Sequence, residues 1–592
     1  MRFIKPTLVK SLSLLLALVC VVLLCACNGN NETPSDTDST QQSGSATDGS
    51  FVVFADGEYK CPIMRPEFAS QEEKDFYSKV RNIFKKVTGV LPPIETDFLE
   101  SGEEYDSDKF EILVGSTNHK ECSKVSSVAI DCVRGRIVGN KYILVSDSSD
   151  YVDESLETLE SILNESFKGG KLVVSANWEF RCNDYDTIRI GIPAYEGAKT
   201  PLYYSGARGM ETMVLTKSSQ EEYVEYLDKL KNAGLSLYTS TNIGDNLFST
   251  FIAKNCYVNT MYFPNTKKIR VTFDPKKNTD LPILSEENEY TATVESSITQ
   301  IGMEDTTGGE QIGMSYVVKL ADGSFLVIDG GFGHTPAVNR FMETLEELSD
   351  GADHYTIAAW VITHNHGDHT GLFNVVTSNN NYLSKLTIEQ VIWQEVSTQQ
   401  LSNMSGSATY KNDMQALYNR IQSLKEKQNT KVITAHPGQV FYLRNATYTV
   451  YTTLELVEPT RINDLNGTCV IGRVEIDGKT IMFPGDSDTT ETQKTTTVYG
   501  QLLKSDAVQI IHHGHVGGTE EFAKLVDPIT LFLPLGEDRY YYGSDEGSPM
   551  KDWKQTQWFY GENSKVQNLY LAGSEVTTIL IKDLPSHSDL SE

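Results

Sequence analysis

Three histidines and an aspartate fall within the segment His364-Asn365-His366-Gly367-Asp368-His369. Imidazole and carboxylate are the donors that suit zinc or a similar divalent ion, and manganese or iron would accept the same set. His364 and His366 stand two residues apart, so a loop leaving a strand can aim both at one ion. Asp368 and His369 are adjacent and can turn toward a second ion nearby. An ion with an open coordination position lowers the pKa of its water to about 7, which supplies hydroxide at neutral pH. Asp368 is suited to orient that water, or to accept a proton while it ligates. The chemistry within reach is metal-assisted hydrolysis on one or two ions.

Such a loop must be held by rigid elements. The apolar run from Tyr355 to Thr363 reads as a strand that empties into it, and Gly367 and Gly371 allow tight turns there. Upstream, Phe325-Leu326-Val327-Ile328-Asp329-Gly330-Gly331 reads as a strand ending in Asp-Gly. Downstream, the run from Lys479 to Phe483 leads through Pro484 and Gly485 to Asp486. The run from Ala507 to Ile511 leads to His512-His513-Gly514-His515. From about residue 293 onward short apolar strands alternate with helices, which predicts an α/β layered domain.

The pattern HxHxDH after a strand is the signature of the metallo-β-lactamase superfamily, and residues 364–369 match it in full. Together with the Asp-Gly, Gly-Asp and His-His strand ends in the same order, the region from about 296 to 580 resembles that family. The resemblance implies an αββα sandwich over residues 293–592. It also implies that Asp329 is structural and supports the ligand loop by hydrogen bonds, with Thr363 a second candidate for fixing imidazole orientation. Asp486 would bridge two metals through its two oxygens. His512 or His513 would complete the second ion's set. The implied metal ligands are therefore His364, His366, Asp368, His369, Asp486, and His512 or His513. His512, His513 and His515 are candidates for the acid that protonates a leaving group.

One departure stands out. Most members of the family carry another histidine ligand between the loop and the bridging aspartate. The sole histidine in that interval here is His436, in Thr434-Ala435-His436-Pro437-Gly438, ahead of a glycine and a strand, which is the wrong context. Instead, Asn463-Asp464-Leu465-Asn466-Gly467-Thr468-Cys469-Val470-Ile471 precedes the Asp486 strand. That segment resembles the "NDNSLVL" stretch of the branch containing the ComEC-type DNA-uptake proteins and the cell-wall phosphorylcholine esterases. His512-His513-Gly514 resembles the HHGS of the same branch, with His515 in place of the serine. The first ion is then left with His364, His366 and the shared Asp486, helped by a water or Thr468.

The N-terminus carries a different signal. Arg2, Lys5 and Lys10 precede an apolar run from Ser11 to Ala26 that is too short for an ordinary membrane span. It ends in Leu24-Cys25-Ala26-Cys27, which resembles the lipobox of bacterial lipoproteins. Residues 1–27 are thus read as a lipoprotein signal peptide, with Cys27 as the lipid anchor to the outer face of the cell membrane. Residues 28–50 are rich in Ser, Thr, Asp, Gly and Asn and read as a flexible tether.

Two smaller α+β accessory domains are expected between the tether and the metal domain. In residues 51–185, Gln71 to Thr88 has helical spacing closed by Gly89, and the runs from Phe110 to Gly115 and from Lys141 to Val145 read as strands. The phrase from Glu111 to His119 resembles the non-catalytic domain that precedes the barrel in some bacterial hexosaminidases, which implies an accessory role. In residues 186–292, Ser219 to Ala233 is amphipathic, with Tyr223, Tyr226, Leu227 and Leu230 on one face. A tyrosine stripe at helical spacing is a core signature, and sugar stacking is the alternative. The six cysteines beyond the signal, Cys61, Cys122, Cys132, Cys182, Cys256 and Cys469, include no CxxC pair. They read as buried thiols with at most one bridge.

The 592-residue chain carries a net charge of −29, which repels phosphate backbones. Nucleic acid is therefore disfavoured as a partner, and a small molecule or cell-envelope polymer is favoured. The leading reading is a surface metallohydrolase acting on a phosphodiester or related ester. The alternatives are an extracellular nuclease and a non-catalytic surface binding protein with a degenerate metal site. β-Lactam hydrolysis does not follow, because this superfamily hosts many reactions.

Overall fold

The computed structural model describes residues 45–46, 50–126, 133–146, 152–182, 188–189, 191–195, 201–302, 313–458, 460, 462–543, 548–560, 564–573 and 576–591. The signal peptide, Cys27, nearly all of the tether, and Cys132 lie outside these residues.

The described residues form a mixed α/β molecule with five sheets among them. Two small sheets share the first unit. The helix Gln71–Thr88 packs there through Phe76, Tyr77, Val80, Ile83, Phe84 and Val87. Its start is fixed by a reciprocal capping box between Ser70 and Glu73, a device worth about 1 kcal/mol, and its end by Gly89 in the left-handed conformation. The strands Glu111–Val114 and Lys141–Ser146 run parallel at the centre of the six-stranded sheet.

The second unit is an antiparallel sheet of six strands between Leu202 and Pro275. The helix Gln220–Asn232 covers one face, burying Tyr223, Tyr226 and Leu230. The tyrosine stripe is core. The other face is joined to the C-terminal region: Phe248, Met261 and Phe263 share one apolar cluster with Tyr451, Met482, Val498 and Leu503.

Residues 297–580 contain two sheets packed face to face. The first runs Lys431–Thr434, Gln390–Trp393, Tyr355–Val361, Phe325–Asp329, Ser315–Lys319, Ser297–Gln300 and Thr577–Leu580 in spatial order. The second runs Val440–Leu443, Ala446–Thr452, Ile471–Ile476, Lys479–Phe483, Ala507–Gln509, Thr530–Leu533 and Asn568–Leu571. Between them lies a dry core that includes Tyr316, Ile328, Val361, Val450, Phe483 and Phe532. Burial of each aliphatic side chain there is worth roughly 2 kcal/mol against exposure. Tyr316 meets Phe483 and Phe532 edge-on, with centroids 5.2 and 5.9 Å away. The outer face of the first sheet is covered by the helices Thr335–Leu348, Gly367–Ser378 and Ser407–Gln428, that of the second by Thr489–Tyr499 and Glu520–Val526. The order is helix, sheet, sheet, helix, the αββα sandwich expected from the sequence. The central strands of each sheet run parallel, so their carboxyl ends, where sites form in such sheets, share one rim.

Candidate metal centre

Every ligand expected from the sequence lies on that rim. The strand Tyr355–Val361 releases the chain into the histidine loop, which turns at once into the helix Gly367–Ser378, so Asp368 and His369 occupy its first turn. The loop is pinned from below. Gly330 N–H donates to His369 O at 2.7 Å, and Met314 N–H to Asp368 O at 3.0 Å. Gly371 and Gly333 approach so closely that a Cβ on Gly371 would lie 2.4 Å from the Gly333 nitrogen.

Asp329 organises the histidines. It is fully buried, with φ of 55°, a left-handed conformation that strains a non-glycine residue. Its Oδ1 accepts from Thr363 N–H at 2.7 Å. Its Oδ2 accepts from Thr363 Oγ1–H at 2.6 Å and from His369 Nδ1–H at 2.7 Å. With its proton given to Asp329, the Thr363 hydroxyl accepts from His364 Nδ1–H at 3.2 Å. Both rings are thereby fixed with Nε2 free to act as donor to a metal. Asp329 and Thr363 thus hold the supporting positions expected of them.

From the second sheet come Asp486, after the strand Lys479–Phe483, and the turn Ile511–Gly514 after Ala507–Gln509. His512, His513 and Gly514 are all left-handed, with φ of 50°, 52° and 80°. For the histidines this costs of order 1 kcal/mol each. The turn sends the two rings different ways. His513 faces inward and is buried, with its Nδ1–H on Pro534 O at 2.9 Å. Its Nε2 lies 3.2 Å from Asp368 Oδ2 and 3.3 Å from Asp486 Oδ2. His512 sits at the rim, Nδ1 on Val516 O, with Nε2 3.7 Å from Asp486 Oδ2.

Asp368, His369, Asp486 and His513 therefore converge, each offering one ligand atom, all within 4.8 Å of one another. His512 is outside this set, so of the adjacent pair it is His513 that the structure brings into the cluster. His369 Nε2 reaches Asp486 Oδ2 at 3.2 Å. Yet His369 Nε2, His513 Nε2 and Asp486 Oδ1 are buried without a hydrogen-bond partner. Buried polar atoms are rarely left so, and orphans of these types turned to one point are what a divalent cation satisfies. The donor set fits the metal.

His364 and His366 form the adjoining flank, with His364 Nε2 3.0 Å from His366 Nδ1. Burial, and then the neighbouring histidines, push His364 well below the ordinary imidazole range; burial also lowers His366. Burial opposes charge on Asp486 too, but His369 and His513 outweigh it and hold that carboxyl well down. For His513 the same opposition of burial and Asp486 leaves the ring raised to about 9.

His515 stands outside the ligand cluster, its ring 5.2 Å from Trp553. Burial and then the cationic influence of His513 and His512 push it down to about 4, so it is neutral near pH 7. His436 lies elsewhere, buried between Glu455 and Asp274 with contacts of 2.5 and 3.1 Å, and does not supply the absent ligand. Thr468 spends its hydroxyl proton on Leu465 O at 2.7 Å. Cys61, Cys256 and Cys469 are buried free thiols, and Cys122 is buried with its sulfur 3.0 Å from Thr117 Oγ1. Two residues to which sequence reasoning gave no role border the site: Asp464, whose Oδ1 is 3.5 Å from His366 Nε2, and Tyr410, whose hydroxyl donates to Asp464 Oδ2 at 3.2 Å.

No family model matches this chain, and no curated protein matches it. Among solved structures, the metallo-β-lactamase-fold protein YhfI from Bacillus subtilis is 14% identical, with a TM-score of 0.29, covering 48% of this chain and 99% of its own. The diiron β-hydroxylase CmlA from Streptomyces venezuelae is 12% identical, with a TM-score of 0.28, over 49% of this chain and 55% of its own. A metallo-β-lactamase from Cronobacter sakazakii, a HARLDQ-motif mutant, is 14% identical, with a TM-score of 0.22, over 36% and 79%. Likeness at this level concerns the fold alone.

Proposed function

We propose that this chain is a metal-dependent hydrolase that cleaves a phosphodiester or related ester of cell-envelope or extracellular material, held at the outer face of the membrane through Cys27. The observation that carries this reading is the convergence of Asp368, His369, Asp486 and His513, with three of their buried polar atoms lacking a hydrogen bond. These four would hold one ion, and His364 and His366 with Asp486 Oδ1 would hold a second. Zinc suits the set, and manganese or iron would be accepted. When bound, the ion supplies Lewis acidity and a nucleophilic water at neutral pH.

The chain's own groups do the rest. Asp368 Oδ2 lies 3.2 Å from His513 Nε2, and its carboxyl is held ionised, below the usual range, because His369 and His513 outweigh its burial. Its place in the cluster would let it orient an attacking water. His513 has Nδ1 committed to Pro534 O and Nε2 turned into the cluster, which leaves it a ligand rather than an acid. His512 is the rim histidine with Nε2 nearest the cluster, at 3.7 Å from Asp486; with its Nδ1–H on Val516 O, it would donate from Nε2 to a leaving group only as the imidazolium. His515, held neutral, lines the rim beside Trp553. A cavity of about 410 Å³ is lined by Arg208, Glu395, Gln399, Lys411, Met414 and Gln415. Met414 Sδ is 4.0 Å from Asn365 Nδ2, so the cavity wall touches the ligand loop.

The test is elemental analysis of the purified chain beside Asp486→Ala, with turnover of bis(p-nitrophenyl) phosphate followed in both. The expected result is one or two ions per chain, with metal and turnover lost together in the variant. A variant that keeps full turnover sinks the assignment. A chain that takes no zinc or manganese supplied during purification would favour the binding-protein reading, which the absent third imidazole beside His364 and His366 motivates.

A further inference from the structure

The segment standing where a further histidine ligand was expected is not idle. Asp464 caps the short turn Leu465–Thr468, its Oδ1 accepting from Asn466 N–H at 3.0 Å. Leu465 anchors this turn in the apolar core beneath the helices. Behind it, Asp488 N–H donates to Asn466 O at 3.2 Å. The turn therefore has one defined position, and from it two side chains reach opposite sides of the metal centre. On one side Asp464 faces His366 Nε2 at 3.5 Å. On the other, Asn466 Nδ2 lies 3.4 Å from His512 Nε2.

Tautomer logic gives the Asp464 contact its meaning. His364 donates its Nδ1 proton to Thr363, so its Nε2 carries a lone pair, and that lone pair points at His366 Nδ1 from 3.0 Å. For both rings to serve one ion, His366 must also present a lone pair at Nδ1. Its proton must then sit on Nε2, and a neutral imidazole has no third choice. Asp464 Oδ1, 3.5 Å away, is the carboxylate oxygen facing that proton and favours this tautomer by its charge. Tyr410, by donating to the other carboxylate oxygen, fixes the plane of Asp464. The ring of Tyr410 also lies beside that of His366, with centroids 5.8 Å apart.

We propose that Asp464, held by Tyr410, is the positioning residue of the His364–His366 ion position, and that the 464–466 turn replaces by outer contacts the imidazole this chain lacks. The inference rests on the metal-hydrolase reading and specifies the asymmetry between its two ion positions. The four-ligand cluster would be the resident position. The His364–His366 position, with fewer direct ligands and an outer carboxylate for support, would be the exchangeable one. Occupancy of that position would then follow cation supply.

The experiment is a cobalt titration of the full, metal-stripped chain, followed by ligand-field absorption and by competition with a chelator. Wild type, Asp464→Asn and Tyr410→Phe are compared. The wild type is expected to take two equivalents in sequence. In Asp464→Asn the first should bind as in wild type and the second about 10–100-fold more weakly. Tyr410→Phe should weaken the second equivalent in the same direction by less, and its partly exposed place on the helix Ser407–Gln428 spares the fold. Asp464→Asn that binds the second equivalent as tightly as wild type overturns the inference, as does equal weakening of both equivalents. A wild type with one equivalent overturns it and leaves the hydrolase reading standing. A wild type with none overturns both.

Discussion

Asp329 shows how much a metal centre depends on a residue that would never touch the ion. It accepts hydrogen bonds from the Thr363 main chain and hydroxyl and from His369, and through Thr363 it also fixes His364. Asp329→Ala should lower metal affinity by about 10–100-fold while leaving all six ligand residues in place. Chelator competition would measure it, and unchanged affinity would show that the histidines orient themselves. The residues that converge at the candidate site were legible in the sequence because they cluster at strand ends, and so was Asp329, from its Asp-Gly setting. Tyr410 and Asp464 were not, since they are 54 residues apart and meet only once the helix Ser407–Gln428 is folded. The choice between His512 and His513 was also hidden, because it is set by two consecutive left-handed residues that no periodicity reveals.

At the scale of elements, the site is a matter of how one helix is seated. The helix Gly367–Ser378 carries Asp368 and His369 and rests on the Gly330–Gly333 loop through a backbone contact that only glycine permits. In Gly371→Ala the new methyl group would meet the Gly333 nitrogen and the Phe332 carbonyl carbon, both backbone, and cannot be accommodated by a rotamer change. The helix must shift, at a cost of about 1–3 kcal/mol. A thermal melt should fall and the four-ligand cluster should bind metal less tightly. A variant with wild-type melting and affinity would mean the helix has slack. Several elements were readable from periodicity alone. The expected helix Gln71–Thr88 is found with those ends, and the strands around Asp329, Val361, Phe483 and Gln509 are where the apolar runs placed them. Strand order was not readable, because pairing partners are chosen by packing across the molecule.

For the whole molecule, the informative feature is the seam between the second unit and the sandwich. His436 lies there between Glu455 and Asp274, and Arg270 donates to the carbonyls of Glu455 and Glu458. Burial opposes charge on His436, but Glu455 and Asp274 outweigh it and raise the ring to about 10. Such a group adds stability that is fully present below its ordinary value of 6.5 and is lost as pH rises through about 10. Glu458, raised to about 8 by burial and by Glu455, acts in the same sense, since its ionisation in the folded state is costly. Thermal stability should therefore decline from pH 7 to pH 10. His436→Gln should be less stable at neutral pH, by about 3–5 kcal/mol, and should flatten the decline. A wild-type melt independent of pH over that range would refute the seam's role. The sequence placed His436 in the wrong context for a ligand, but its ionic partners come from a strand and a turn distant along the chain. The two sheets of the sandwich have a consequence of their own. Asp368 and His369 hang from one sheet, Asp486 and His513 from the other, so a cation held between them would be a rivet through the mid-plane of the domain. By mass action, free cation at a hundred times its Kd would add about 2.7 kcal/mol to the folded state. The chain would be sturdiest where metal is plentiful and would loosen along that plane where metal is scarce.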